Sequence, residues 1–453
     1  MRAAFLAFAC VLSCSPSEPE APVLGGWTPG TVLPSLTSGP RGMLDVRGAI
    51  HAHSVYSHDA CDGVPRDPST DAIDEVCFED LRRGLCQARH DFVMLTDHGE
   101  SFARTEYPEV LLHRPGDTLV ERNGAPVASW LACPEGARVL VLAGNESEMM
   151  PVGLESHAAE TVADREAVYS NATSTSVATL KSHGAAVLLQ HTEDWDAQTI
   201  VDLGVDGFEM YNLHANSILG AGGVISLISD LAEPELLPHP DLTLLAILNE
   251  DARYLDTWAK VLASGAHRVT TIGTDCHRNT FPQQMPDGER IDSYRRMLVW
   301  MSNHLLVAPE PDGSWDDSHL KEALLAARLY GVFEVFGYPE GFDFYGLSGG
   351  TSVEMGGEGT ALELHAIVPR VRDLDPARTQ PELRLVLLRA SDTGWVPVAE
   401  SSGDLVHQAD TPGAYRVEVR IRPRHLASFM SSYAYLAENE YPWIYSNAIV
   451  MTP

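Results

Sequence analysis

The chain has 453 residues, 44% hydrophobic and 21% charged, an ordinary globular composition long enough for more than one domain. Its formal net charge of −32 argues against a nucleic-acid polymer as partner and against binding to an anionic membrane surface, since both attract Lys and Arg.

From the N-terminus, Arg2 followed by the apolar run Ala3–Leu12 reads as an export signal too short to span a bilayer. Val11-Leu-Ser-Cys14 is similar to a bacterial lipobox, which implies cleavage before Cys14 and a lipid on that thiol. Residues 1–14 are therefore expected to be signal peptide and lipidated cysteine. The protein is expected to be an exported lipoprotein facing periplasm or cell surface, touching the membrane only through Cys14. Residues 15–42, rich in Pro, Ser, Gly and Thr, read as a flexible tether. Export permits disulfides, and Cys61, Cys77, Cys86 and Cys133 suit two bridges whose pairing the sequence leaves open. Cys276, inside a candidate ligand motif, is expected to stay a free thiol.

Apolar, β-prone runs then recur at Met43–Ile50, Phe92–Thr96, Val139–Ala143, Ala185–Leu189, Gly207–Tyr211, Val269–Gly273 and Gly331–Phe336. Helical spacing appears over Phe78–Arg89, Ser174–His183, Ala197–Leu203, Asp241–Ser264 and Ser318–Leu329. Alternating strands and helices predict an α/β fold with a mostly parallel sheet over residues 43–345. Gly99–Arg138, Met149–Ser174 and Asn212–Pro240 read as long loops that would wall a pocket. In residues 346–453 the texture changes to short strands and polar turns, which predicts a small antiparallel β-sandwich domain.

Histidines and carboxylates cluster at or just after these strands. They are His51-Ala-His53 with Asp59, Thr96-Asp97-His98, Gly144-Asn-Glu146 with His157, Gln190-His191, and Gly273-Thr-Asp275-Cys-His277. In a barrel, groups at C-terminal strand ends converge on one site, which favours closure of the sheet over an open crevice. Neutral imidazole and carboxylate together suit Zn, Mn or Fe, and a carboxylate such as Glu146 can bridge two cations. Glu209 reads equally as site-facing or structural; Glu148 and His214 read as structural, and His58 is left out of the set.

In combination these motifs resemble the PHP superfamily (polymerase and histidinol phosphatase type). The likeness covers about Met43 to Tyr345, and Pro442-Trp-Ile-Tyr-Ser-Asn447 is similar to the end of its exported CehA/McbA-like branch. The resemblance implies a distorted (β/α)7 barrel with two or three divalent metal ions. His51, His53, Asp59, His98, Glu146, His157, His191, Asp275 and His277 match the family's metal positions. His191 and His277 become candidates to protonate a leaving oxygen, and Asp97 a candidate to orient a ligand. The expected activity is metal-dependent hydrolysis of a small ester by metal-activated water, first of all a phosphoester, with Arg104 and Arg278 as possible phosphate contacts. The alternatives are a carboxylic ester, amide or carbamate hydrolase and a non-catalytic surface protein that binds metal or ligand. Arg104, Arg114 and Arg122 against Trp130 and Leu154 in the insertions leave the electrophile undecided.

Overall fold

The computed structural model describes residues 37–219, 230 and 233–453. The export signal, the lipobox with Cys14, nearly all of the tether and the Gly220–Gly223 run lie outside the described residues.

The fold is mixed α/β, with one large mixed sheet and smaller antiparallel sheets. Its first parallel triplet is β1 (Leu44–Ile50), β2 (Phe92–Met94) and β3 (Arg138–Glu146), paired at Gly48 with Phe92 and Phe92 with Leu140. The second is β5 (Ala186–Leu189), β6 (Gly207–Asn212) and β7 (Val269–Gly273). Between the triplets runs β4 (Met150–Leu154), antiparallel to both neighbours. The C-terminal ends of both triplets carry the candidate donors.

Side chains alternate between faces, as extended backbone requires. Val46, Ile50, Phe92, Met94, Leu140, Leu142, Leu188, Val269 and Leu305 meet in one buried cluster, so strands of both triplets share a core. The opposite face of the first triplet, with Val93, Leu95 and Val141, is covered by the helix Glu75–Ala88 through Phe78, Leu81 and Leu85. Asp74 caps that helix by accepting from the Val76 and Cys77 amides.

Several strands lie where the sequence suggested otherwise. β8 (Ser302–Val307) pairs antiparallel with β1, and β9 (Leu329–Val332) pairs antiparallel with β8. The run expected as one strand over Gly331–Phe336 therefore starts earlier and ends in a 3-10 turn at Glu334–Phe336. Within the expected loop Gly99–Arg138, Thr118–Arg122 and Ala125–Ala132 form a hairpin whose second strand pairs with β3. The expected helix Asp241–Ser264 divides into a 3-10 segment, Pro240–Ile247, and the helix Ala252–Ala263 capped by Asp251.

The C-terminal strands Glu382–Ser391, Gly394–Ser401 and Gly413–Arg422 form where expected and join the large sheet through Tyr441–Ser446, which pairs with β9 at Gly331 and Tyr445. A second antiparallel sheet holds Thr351–Val353, Asp343–Ser348, Glu363–Ile367 and Leu405–Gln408.

Among the described residues no backbone ladder joins β7 to β8 or β9. Two asparagine side chains take its place. Asn303 on β8 accepts from the Ile272 amide at 3.0 Å and donates to the Ile272 carbonyl at 2.8 Å. Asn447 does the same for Thr270, at 2.9 Å each way. A side-chain amide offers the donor and acceptor of a peptide group, so these buried backbone groups stay satisfied.

Cys61 bonds Cys77 and Cys86 bonds Cys133, while Cys276 is a buried free thiol. Among the described residues no helix is long and apolar enough to cross a membrane.

Candidate metal centre

The donors reach one place because the chain turns sharply after the strands. His51, His191 and Asp275 all adopt left-handed backbone, with φ of 75°, 49° and 53°. That conformation is uncommon outside glycine and persists where surrounding contacts enforce it. Here the His53 amide donates to the Cys276 carbonyl at 3.1 Å, and the Thr96 amide donates to Ala52 at 2.9 Å. Asp97 accepts from the Ser54 amide at 2.5 Å and the Ser54 hydroxyl at 2.7 Å. Both Asp97 oxygens are thus spent on holding the turn that carries the two histidines, a positioning task.

Four buried side chains form the central group: His51, His53, Glu146 and Asp275, with donor atoms all within 4.8 Å of one another. The His51 Nε2 lies 3.3 Å from Glu146 Oε2 and 3.3 Å from Asp275 Oδ1. For His53 Nε2 both distances are 3.1 Å. Ligands about 2.1 Å from one cation stand about 3.0–3.4 Å apart at octahedral to tetrahedral angles. Both Nε2 atoms are buried and make no hydrogen bond of acceptable geometry. Among the described residues no Lys or Arg forms an ion pair with Glu146, Asp275 or Asp59; their partners are histidines. Unsatisfied buried nitrogens facing two adjacent carboxylates fit a divalent cation, which supplies the missing positive charge.

Electrostatics point the same way. Burial opposes charge on Glu146, but His51, His191 and His53 outweigh it and hold the carboxyl well below the ordinary range. Burial likewise opposes charge on His53, and Asp275 with Glu146 overrides it, pushing the imidazole up to about 10. Metal binding releases protons from such a set and meets the same demand for positive charge.

Glu209 fixes the orientation of His51. Its Oε1 lies 2.9 Å from His51 Nδ1, and its Oε2 accepts from Asn212 at 3.0 Å. A carboxylate on Nδ1 leaves Nε2 as the donor atom toward a metal. Only glycine fits at position 273, since a Cβ there would lie 2.3 Å from Glu209 Oε1 and 2.8 Å from the His51 Cβ.

Two further groups share residues with the centre. His53, Asp59 and His98 form one, with His98 Nε2 2.9 Å from Asp59 Oδ2. Ser57 ties it together, donating to Asp59 at 2.8 Å and lying 3.2 Å from His53 Nδ1. His58 stacks on His98 from outside and pairs with Glu100. The other group is His214, Asp275 and His277. His191 reaches Glu146 at 3.1 Å and Asp275 at 3.7 Å, with Glu193 behind it at 3.5 Å.

His157 does not join them. Its Nδ1 lies 3.1 Å from the Tyr169 hydroxyl and its Nε2 lies 2.8 Å from the Thr105 carbonyl, so both ring nitrogens are used within the protein. The reason is topological: the chain reverses straight after Glu146 into antiparallel β4, which carries His157 away. The structure thus corrects the expectation for this residue. Conversely, Glu209 and His214 have a place at the site that sequence reasoning did not assign. The strand-end rule holds for His214, which lies as far beyond Asn212 as His191 beyond Leu189 and Asp275 beyond Gly273.

Beside His214, Asp275 and His277 opens a narrow apolar recess of about 30 Å³ walled by Leu213, Leu244, Ile247, Phe281 and Met297. On the Ser57 and His58 side lies a more polar cleft that includes Tyr56, Arg66, Ser101 and Arg104. The arginines considered for phosphate are paired: Arg104 with Glu166, Arg114 with Glu75, Arg122 with Asp317 and Glu155, and Arg278 with Asp80. Comparison with protein-family models, curated proteins and solved structures yields no match for this chain.

Proposed function

We propose that the chain is a metal-dependent hydrolase of PHP type, built on a distorted (β/α)7 barrel, that cleaves an uncharged carboxylic ester, amide or carbamate. The observation that carries the hydrolase reading is the buried quartet of His51, His53, Glu146 and Asp275, with two unsatisfied imidazole nitrogens facing two carboxylates. A divalent cation bound there supplies Lewis acidity and lowers the pKa of water to about 7.

The protein's own groups perform the rest. Asp97 and Glu209 hold the two histidines in register, and Ser57 holds Asp59. His191, 37% exposed and braced by Glu193, which accepts from the Tyr254 hydroxyl, has the access needed to pass a proton to a leaving group. His277 is less suited, with Nδ1 held by Asn279 at 2.7 Å and Nε2 turned toward His214 at 3.2 Å. The apolar recess at Asp275 presents a small apolar wall, which favours a short apolar substrate group over a phosphate beside the centre. Two disulfides support export.

A phosphoesterase is the second reading, favoured by Arg66 and Arg104 in the polar cleft beside Ser57. A panel of paired substrates tests the choice: aryl carboxylic esters and carbamates against the matching aryl phosphates, with metal content measured on the same sample. Turnover of the carboxyl compounds is expected; turnover of phosphates alone reverses the choice. A protein that holds no metal and cleaves neither sinks the hydrolase reading.

A further inference from the structure

His214 stands at the junction of the centre and the apolar pocket, and no ligand position was expected there. Its Nδ1 lies 3.2 Å from His277 Nε2 and 3.4 Å from Asp275 Oδ2, the separations of atoms that share one cation at about 2.1 Å, while the third edge, His277 Nε2 to Asp275 Oδ1, is wider at 4.0 Å. The Asn279 side-chain oxygen Oδ1, 2.7 Å from His277 Nδ1, favours the tautomer that leaves Nε2 as an acceptor on the His214 side. Asn212, which ends β6, donates to Asp275 Oδ2 at 3.3 Å and so braces the shared carboxylate. His214 follows two residues later and is 42% exposed in its side chain, while Asp275 and His277 are buried.

We propose that His214, with Asp275 and His277, forms a cation site at the mouth of the apolar pocket, taking a divalent ion that accepts nitrogen and oxygen donors. The proposal rests on the hydrolase reading above and adds to the ligand set a histidine that the sequence reading left as structural. Asp275 then belongs to two sites, one facing His51 and His53 and one facing the pocket. A substrate group that reaches the second site would lie beside the apolar wall of Leu244 and Phe281. The competing arrangement is a plain hydrogen bond between two imidazoles with no ion.

The test is zinc stoichiometry of the full chain. Protein saturated with Zn²⁺ and freed of excess is measured by elemental analysis for wild type, His214→Ala, His214→Asp and His157→Phe, with circular dichroism to confirm folding. His214→Ala is expected to hold one Zn²⁺ equivalent fewer than wild type. His214→Asp, which restores a donor, is expected to recover it, and His157→Phe to match wild type. Wild-type stoichiometry in folded His214→Ala overturns the proposal and leaves the hydrolase reading standing, as does recovery failing in a folded His214→Asp. Wild type that binds no Zn²⁺ overturns both.

Discussion

β1 carries two clusters of buried charge that behave in opposite ways. At its start, Asp45 and Arg47 join His304, Tyr330 and Glu334. Arg47 forms an ion pair with Glu334, His304 Nδ1 lies 2.9 Å from Asp45, and the Tyr330 hydroxyl donates to Asp45 at 2.8 Å. Ser302 adds a bond to Glu334 at 2.7 Å. Each carboxylate there has a cationic or donating partner, so the network closes on itself. At the other end of the strand, His51 and His53 face Glu146 and Asp275, and the ring nitrogens turned toward the carboxylates make no hydrogen bond. The same residue types build a satisfied structural network at the start of β1 and a ligand set open to a cation in the turn just past its end. Satisfaction, rather than burial or charge alone, separates the two.

The largest expected effect breaks the open end. His51→Ala with His53→Ala removes two of the four central donors and is expected to take hydrolysis below detection and deplete bound metal, with the β1 network left in place. Metal content by elemental analysis and turnover on the best substrate check this; full retention of both would remove the distinction between the clusters.

How far the site could be read from the chain follows the same line. The candidate donors His51, His53, Glu146, His191, Asp275 and His277 drew notice because each sits at or just past an apolar run, and β7 has the bounds its composition suggests. His157 misled because spacing from Glu146 says nothing about direction, and Ser147–Met149 is enough chain to reverse into β4. β4 itself was hidden by Pro151 and Gly153, which read as breakers although the strand pairs on both sides. β8 was hidden by its polar start, Ser302-Asn303-His304. All three side chains are buried, with Asn303 serving β7 and the other two serving the network. Glu209 and His214 depend on which strand lies beside which, a relation that no local pattern contains.

The closed end has its own pH signature. Burial disfavours charge on His304, but Asp45 and Glu334 override it and push the imidazole up to about 9, above its unfolded value of 6.5. A raised pKa means stabilisation that is complete below about 6.5 and is lost as pH rises through 9. At about 1.4 kcal/mol per pKa unit the loss is on the order of 3 kcal/mol. Urea denaturation of wild type and His304→Gln across pH 6–10 is expected to show their difference in stability shrinking toward alkaline pH. Parallel profiles would show that His304 does not carry the charge that closes the network.

The smallest expected effect sharpens the contrast at Glu209, the carboxylate that touches the open cluster without offering it a ligand. If Glu209 acts by fixing the His51 ring, Glu209→Gln keeps the shape and a hydrogen bond but weakens the hold on Nδ1–H. Loss of such a partner typically weakens metal binding by about 10–100-fold. The expected result is a zinc affinity lower by that factor in competition with a chelator, at unchanged stoichiometry and unchanged urea midpoint of the metal-free protein. Loss of a whole zinc equivalent would make Glu209 a ligand. A drop in metal-free stability with no change in affinity would move it into the structural class with Glu334, because a carboxylate that serves the fold is missed by the fold, whereas one that serves a ligand is missed by the metal.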